Sequence, residues 1–221
     1  ECDQTTTELC QQAQTPHGNV AAVCVYPRYV CIAKQQLQHT TIAVATVVNF
    51  PDGEQSLADT QRHITDCLND QADEIDLVLP YHSFLQEQYE SVRHYLTSCR
   101  QQLPHTCLKV ILETGALNTP AVITDAALMA IDCGADFIKT STGKHQTGAS
   151  KEAVAAMLTA IQQRPQHNVG IKISGGIRSA TTATDFYQLI EHTMGSAWIN
   201  PAHVRLGASS LLQDILRTHS L

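Results

Sequence analysis

Two lysines lie in short apolar runs of this chain, where charged side chains are unexpected. Lys139 ends the run Asp136–Lys139, and Lys172 lies within the next run, Val169–Ile173. An unpaired ammonium group is costly to bury, and two ammonium groups on neighbouring strands also repel each other. Burial and repulsion lower the pKa of at least one lysine, and the neutral amine is the form that attacks a carbonyl carbon. The pair therefore predicts Schiff-base chemistry, with one lysine as nucleophile and the other as its activator.

A carboxylate occurs in a third apolar run, Ile75–Leu79, where Asp76 is flanked by apolar neighbours. It could be an ion-pair partner for one of the lysines or could carry protons during catalysis, and the two roles are compatible. Lys109 and Glu113 share the parity of Ile111 in the run Leu108–Leu112, so both are candidates to point inward. Lys109 is then either part of the charged network or separate from it.

Glycine- and serine-rich loops follow the last two apolar runs. Gly175 and Gly176 come soon after Ile173, and the segment 207–210 (Gly-Ala-Ser-Ser) opens a predicted helix whose first N–H groups are free donors. Either loop alone could be a tight turn, but two on adjacent strands favour a phosphate site. The placement of the cations agrees, because Lys139, Lys144, Lys172 and Arg178 fall within 40 positions, each beside a short stretch rich in Gly, Ser or Thr.

Composition excludes several other classes of function. The formal net charge of −7 argues against binding to nucleic acid or to an anionic membrane surface. No apolar run approaches the roughly 18 residues of a transmembrane helix, and the first residues lack the features of a signal peptide. The eight cysteines are scattered without zinc-ligand spacing, so we expect free thiols in a reducing cytoplasm and no metal or other cofactor.

Short apolar runs alternate with helical patterns along the whole chain. Most runs are continuous, as expected of parallel strands covered on both faces. The predicted strands are Val20–Val25, Ile42–Val48, Ile75–Leu79, Leu108–Leu112, Asp136–Lys139, Val169–Ile173 and His203–Leu206. The predicted helices are Thr6–Gln14, Arg28–Gln38, Ser56–Asn69, Gln86–Gln101, Pro120–Cys133, Ser150–Gln163, Ala180–Met194 and Ser209–Arg217.

This βα repeat predicts an α/β fold, either a (βα)8 TIM barrel or an open doubly wound sheet. Eight helices and seven strands, with a helix first, are most simply explained by a barrel whose first strand lies upstream of residue 1. A seven-stranded remnant would expose two unpaired edges. We therefore expect residues 1–221 to form a single (βα)8-barrel domain that starts at its first helix.

Six segments, in order along the chain, resemble deoxyribose-phosphate aldolase. Their sequences are Cys-Val-Tyr-Pro-Arg (24–28), Val-Asn-Phe-Pro (48–51), Ala-Asp-Glu-Ile-Asp (72–76), Leu-Lys-Val-Ile-Leu-Glu-Thr-Gly (108–115), Gly-Ala-Asp-Phe-Ile-Lys-Thr-Ser-Thr-Gly (134–143) and Gly-Ala-Ser-Ser (207–210). Any one of them would be weak evidence, but the set spans most of the chain. The resemblance implies reversible, metal-independent cleavage of 2-deoxy-D-ribose 5-phosphate to acetaldehyde and D-glyceraldehyde 3-phosphate.

The resemblance also implies roles for individual residues. Lys139 matches the Schiff-base lysine, Lys172 the lysine that perturbs it, and Asp76 the proton-relay carboxylate. Cys24 and Thr142 match positions that line the pocket, although Cys24 could equally be a core residue. The family's phosphate-binding positions correspond to Gly143, Lys144, Gly175, Gly176, Arg178, Gly207, Ser209 and Ser210. One departure is that the family's first strand carries an Asp and a Thr for the substrate hydroxyls, and no residue here matches them.

Three alternatives remain open from the residues alone. The chain could be another lysine-dependent sugar-phosphate aldolase, or a transaldolase, with a different donor. It could also be a phosphate-binding barrel without catalysis, although such a protein would not need an activated amine. The expected partners are small phosphorylated sugars and aldehydes, and a homodimer is one candidate for its assembly.

Overall fold

The computed structural model describes residues 2–208 and 210–218, and a parallel sheet of seven strands forms its centre. The strands are β1 (Ala22–Val25), β2 (Ala43–Val48), β3 (Glu74–Val78), β4 (Cys107–Ile111), β5 (Phe137–Lys139), β6 (Gly170–Ser174) and β7 (Val204–Gly207). Each strand pairs with the next one along the chain, so spatial order equals chain order. A short antiparallel hairpin, Gln14–Thr15 with Gly18–Asn19, precedes the sheet.

Helices connect the parallel strands, as crossovers between parallel strands require. They are α1 (Asp3–Gln12), α2 (Val30–Leu37), α3 (Leu57–Asn69), α4 (Tyr81–Leu85), α5 (Tyr89–Gln101), α6 (Thr114–Leu117), α7 (Pro120–Asp132), α8 (Lys151–Gln162), α9 (Ala180–Met194) and α10 (Leu211–Thr218). Short 3₁₀ turns occur at Pro27–Tyr29, Pro165–His167 and Ser196–Trp198.

Local sequence determines where the long helices begin. The side chains of Ser56, Thr119, Ser150 and Ser179 each accept a hydrogen bond from a backbone N–H in the first turn of the helix that follows. These bonds satisfy donors that the helix itself leaves unpaired. Helix α7 ends before Gly134, whose φ of 89° is readily adopted only by glycine. The predicted Ser150 cap, the Pro120 start and the Gly134 end are confirmed.

The sheet is strongly curled, as contacts across its concave face show. Strands β3 and β6 are three positions apart, which is about 14 Å in a flat sheet, yet Asp76 and Lys172 are in contact at 2.7 Å. Glu74 on β3 also comes within 3.6 Å of Arg205 on β7, four strands away. The side chains of the concave face therefore meet in the interior. The fold is a TIM-barrel-like α/β fold with seven strands in the described residues.

The strands are apolar because both faces of the sheet are covered. Every residue of β3 and β6 is buried, as is every residue of β2 after Ala43. Helices α7 and α8 turn their apolar sides to the sheet and to each other, with Ile123, Val154 and Met157 in the core. All eight cysteines are free thiols. None of the helices within the described residues combines the length and apolar character that crossing a membrane requires.

The seven predicted strands are confirmed to within two residues at each end. The predicted helix Gln86–Gln101 was wrong at its start, because Glu87 has a φ of 60° and α5 begins at Tyr89. The short helices α4 and α6 and the N-terminal hairpin were not predicted, since they are too short to produce a hydrophobic period. The predicted start of the last helix, Ser209, lies outside the described residues.

Asn49 ties the ends of β2 and β3 together, and its replacement tests how much that tie contributes. It is fully buried, has a φ of 53°, donates to the Val78 carbonyl at 2.8 Å and accepts from the Gln55 N–H at 2.8 Å. We expect Asn49→Ala to lower the free energy of unfolding by about 2–4 kcal/mol, because buried backbone groups lose their partners. Urea denaturation measures this change.

Asn168→Ala is the matched control, since Asn168 also has a positive φ of 52° but is exposed. Its side-chain oxygen accepts one exposed hydrogen bond, from His203 Nε2 at 3.0 Å. We expect a loss of at most about 1 kcal/mol for this control. Equal losses for the two variants would show that backbone strain, and not the buried hydrogen bonds, explains the effect.

Candidate active site

Asp76 lies at the centre of a buried group of lysines on the concave face of the sheet. Its Oδ2 atom accepts hydrogen bonds from Lys139 at 2.8 Å and from Lys172 at 2.7 Å. Its Oδ1 atom accepts one from Lys109 at 2.8 Å. Asp76 is fully buried, so this carboxylate has only the three lysines as charged partners within hydrogen-bonding distance among the described residues.

Strand register places these side chains on one face. Asp76 pairs with Lys109 across β3 and β4, and Lys139 pairs with Lys172 across β5 and β6. Register partners in a parallel sheet point to the same side, and alternate residues along a strand share that side. The predicted parity of Lys109 is confirmed, and it belongs to the charged network.

Burial and the neighbouring charges shift the pKa values of these groups. Burial alone would raise the pKa of Asp76, but Lys139, Lys172 and Lys109 outweigh it and hold that pKa well below its usual range. Burial lowers the pKa of Lys172, helped by repulsion from Lys139 and opposed by Asp76. Burial opposes protonation of Lys109 too, but Asp76 and Glu74 raise its pKa above the ordinary value. Lys172 thus loses its proton more readily than Lys109, which stays charged.

A second group of charges, which the sequence did not predict, lies beside the first. Glu74 Oε2 is 2.7 Å from Lys109 Nζ, and Glu74 Oε1 is 3.6 Å from Arg205 Nη2. Glu74 precedes Asp76 by two residues, so shared strand parity could have identified it. Arg205 lies in the predicted strand His203–Leu206 and is the register partner of Lys172, but no sequence pattern indicated its contact with Glu74.

Cys24 and Thr142 lie on the same side of the molecule as the lysines. Cys24, on β1, is half-buried, and strand register places it on the same face of the sheet as Asp76. Thr142 follows β5 and donates its hydroxyl to Glu113 Oε2, which also accepts the Thr142 N–H at 3.1 Å. Glu113 is buried with a left-handed φ of 56°. Thr142 Oγ1 in turn accepts the Lys144 N–H at 3.0 Å, so Glu113 holds the loop after β5.

A cavity of about 410 Å³ lies at the carboxyl ends of β1 and β2. Tyr26 and Phe50 form part of its wall in an edge-to-face pair with ring centroids 5.8 Å apart. Lys144 lines the same cavity, with its Nζ 5.9 Å from the centre of the Tyr26 ring. Val47, another wall residue, is the register partner of Asp76. The cavity therefore reaches the residue next to the central carboxylate.

The predicted glycine-rich loops lie at the carboxyl ends of β5, β6 and β7. Gly143, Gly175 and Gly176 have φ values of 78°, 92° and 86°, and a Cβ atom at Gly143 or Gly176 would meet only open space. Gly207 is different, because a Cβ there would lie 3.2 Å from Cε of Lys172. Gly207 therefore leaves room for the lysine side chain, a role that the sequence did not predict.

Arg178 and Ser210 are exposed beside these loops, and Ser209 lies outside the described residues. The structure therefore brings Lys139, Lys172 and Asp76 into direct contact. It places the predicted phosphate residues that it describes at the carboxyl ends of the strands, which is the face where barrel enzymes hold their substrates. Within the described part of the chain, no three His, Cys, Asp or Glu side chains lie close enough together to share a metal ion.

A curled parallel sheet with inward lysines around one carboxylate, and with glycine-rich loops at its carboxyl end, defines an α/β-barrel enzyme site. The family assignment agrees with this class. The chain belongs to the DeoC/LacD family of aldolases, whose model matches residues 3–216.

Solved structures support the same assignment. A protein from Coccidioides immitis, titled "a putative deoxyribose-phosphate aldolase", shares 30% identity over 99% of this chain and 80% of its own, with a TM-score of 0.86. An aldolase named QR15 shares 27% identity over 99% of this chain and 91% of its own, with a TM-score of 0.83. A Toxoplasma gondii protein with a similar title shows the same fold at 24% identity, with a TM-score of 0.88 over 100% of this chain and 87% of its own.

Removing the central carboxylate should destabilise the protein in a pH-dependent way. We expect Asp76→Asn to lower the free energy of unfolding at pH 7 by about 3–5 kcal/mol, because three buried lysines lose their shared counter-ion. Unfolded Asp binds a proton below about pH 4, whereas folded Asp76 stays ionised to lower pH. Acid therefore favours the unfolded wild type, and the difference between wild type and variant should shrink as the pH falls below about 4.

Chemical denaturation from pH 7 down to pH 3 measures this difference. Asp136→Asn is the control, since Asp136 also pairs with a cation, Arg100 at 2.9 Å, but is half exposed. We expect a much smaller loss for this exposed pair. A pH-independent loss in Asp76→Asn would contradict the assigned ionisation of Asp76.

Proposed function

We propose that this aldolase works through a Schiff base on Lys139 and that it reversibly cleaves 2-deoxy-D-ribose 5-phosphate to acetaldehyde and D-glyceraldehyde 3-phosphate. The observation that carries the proposal is the sharing of Asp76 Oδ2 by Lys139 and Lys172, at 2.8 and 2.7 Å, in a chain of the DeoC/LacD family. This geometry supplies a nucleophilic amine, a second amine that perturbs it, and a proton carrier between them.

In the synthetic direction, the neutral Lys139 amine attacks the carbonyl carbon of acetaldehyde. The carbinolamine loses water to give an iminium, and the positive nitrogen acidifies the neighbouring methyl group. Asp76, with an ordered water, removes one methyl proton and passes it to Lys172, whose lowered pKa leaves it able to accept a proton. The electron pair of the broken C–H bond forms the enamine.

The enamine carbon then forms a bond to the aldehyde carbon of glyceraldehyde 3-phosphate, the C=O π electrons move to the aldehyde oxygen, and this oxygen takes up the proton that Lys172 had accepted. Hydrolysis of the resulting iminium releases the product and restores Lys139. Cleavage is the reverse of these steps. Lys139 is well placed to be the nucleophile because it ends β5 at the carboxyl edge of the sheet, next to the loop that carries Thr142 and Lys144.

The phosphate is proposed to bind at the loops after β5, β6 and β7. Gly143 and Gly176 have no neighbouring atoms where a side chain would stand, so an anion can approach the backbone closely there. Arg178 and Ser210 are exposed beside these loops and can contribute a charge and a hydroxyl donor. In this arrangement the phosphate holds the acceptor aldehyde and the lysines carry out the reaction.

Reductive trapping tests the nucleophile. With acetaldehyde and borohydride, we expect an ethyl group on Lys139, found by peptide mass spectrometry, and loss of cleavage activity as labelling proceeds. Lys144→Met should still be labelled at Lys139, whereas Lys139→Met should lose turnover by at least about a thousandfold. If the wild type is labelled at Lys172 and not at Lys139, the assignment of Lys139 as the nucleophile is wrong. Labelling by dihydroxyacetone phosphate, but not acetaldehyde, would indicate a ketone-donor aldolase.

Removal of a phosphate-binding charge should affect only phosphorylated substrates. We expect Arg178→Gln to raise KM for 2-deoxyribose 5-phosphate about tenfold or more, since charge-assisted hydrogen bonds contribute about 1.5–3 kcal/mol. Its kcat/KM for unphosphorylated 2-deoxyribose should be unchanged. Arg62→Gln, which removes an exposed arginine paired with Asp59 on α3, is the control. A similar loss with both substrates would argue against a phosphate contact at Arg178.

A further inference from the structure

Lys109 is the most deeply buried of the three lysines and lies between two carboxylates. Its Nζ atom is 2.8 Å from Asp76 Oδ1 and 2.7 Å from Glu74 Oε2. Its side chain is 1% exposed, against 7% for Lys139 and 10% for Lys172. Lys109 is thus the lysine that a substrate reaches least easily, and the mechanism above does not use it.

The position of Lys109 determines which oxygen of Asp76 the other lysines can use. A carboxylate has two oxygens and can turn about its single bond. Lys109 occupies Oδ1, and Glu74 also contacts the Lys109 ammonium group, at 2.7 Å, and so helps to hold it in place. Lys139 and Lys172 therefore both donate to Oδ2. A proton can pass between them through one atom without rotation of the carboxylate.

We infer that Lys109 is a positioning residue, held by Glu74, which fixes Asp76 so that a single oxygen serves both Lys139 and Lys172. This inference rests on the proposed Schiff-base function. It adds the ion pair Glu74–Lys109 to the groups around the reacting amine. It also predicts how the charge of each of these two residues acts on Lys139. Lys109 contributes one positive charge to the group around Lys139, and Glu74 contributes one negative charge.

Several groups face Lys109, and all of them except Glu74 are the same in both variants of the test. The charged or titratable groups around it are Asp76 and Glu74 on β3, Cys107 on β4, Lys139 on β5, Lys172 on β6 and Arg205 on β7. Burial raises the pKa of Cys107 to about 11, so this thiol is neutral near pH 7. The differences between variants therefore report the two altered charges.

Lys109→Met and Glu74→Gln provide a test with opposite expected signs. Trapping needs the neutral amine, so its rate falls as the pH drops below the pKa of the nucleophile. Loss of the Lys109 charge should move this fall toward higher pH by roughly one unit, since one nearby like charge is removed. Loss of the Glu74 charge should move it toward lower pH by a similar amount. The measurement is the rate of Lys139 labelling by acetaldehyde and cyanoborohydride across pH, which involves no substrate phosphate.

Turnover gives the second readout. If Asp76 is free to turn in Lys109→Met, kcat for cleavage of 2-deoxyribose 5-phosphate should fall about tenfold to a hundredfold, with KM almost unchanged. Lys151→Met is the matched control, because it removes an exposed lysine that pairs with Asp185 at 3.0 Å. This control should change neither the pH dependence nor kcat.

Circular dichroism and thermal denaturation establish that each variant is folded. If Lys109→Met does not fold, Glu74→Gln alone decides, because it keeps the side-chain shape and should still shift the labelling curve toward lower pH. Shifts of the same sign in both variants, or no shift in Glu74→Gln, would overturn the inference while leaving the proposed function intact. Failure to label Lys139 in the wild type would overturn the proposed function, and this inference with it.

Discussion

The structure of the site depends on one buried carboxylate that must balance three lysines. Asp76 is fully buried and accepts hydrogen bonds from Lys109, Lys139 and Lys172. Charges of this kind are tolerated in a protein interior only when they are paired and hydrogen-bonded. The shared counter-ion allows the lysines to be buried. Because Asp76 and Glu74 together carry two negative charges against three ammonium groups, the excess positive charge favours a neutral amine.

The surrounding fold provides the space that this group needs. Curling brings β3 opposite β6 and β7, so that side chains from distant strands meet at hydrogen-bonding distance. Gly207 gives room to the Lys172 side chain, and Glu113 holds the loop after β5 through Thr142. The side chains of the charged group and the glycine-rich loops therefore meet at the carboxyl end of the sheet, which is the face where barrel enzymes hold their substrates.

Much of the architecture could be predicted from sequence because its causes are local. Apolar runs marked all seven strands of the described sheet, and most of these runs are continuous because strands covered on both faces need apolar side chains throughout. Cap residues such as Ser150 and Pro120 marked helix starts because they act on the adjacent backbone. The start of α5 was missed because the left-handed turn at Glu87 has no apolar pattern, and the hairpin at Gln14–Asn19 has strands of only two residues.

The sequence by itself identified the residues that we propose carry the chemistry: two lysines and a carboxylate in apolar strands, glycine-rich loops after them, and the parity that turns Lys109 inward. Only the tertiary structure decided how these groups are connected. Asp76 is 63 positions from Lys139 and 96 from Lys172 along the chain, and the choice of Oδ2 for both depends on strand register and curl. The contacts of Glu74 with Lys109 and Arg205 depend on the same two properties, because pairing across the concave face is set by the packing of all the strands together.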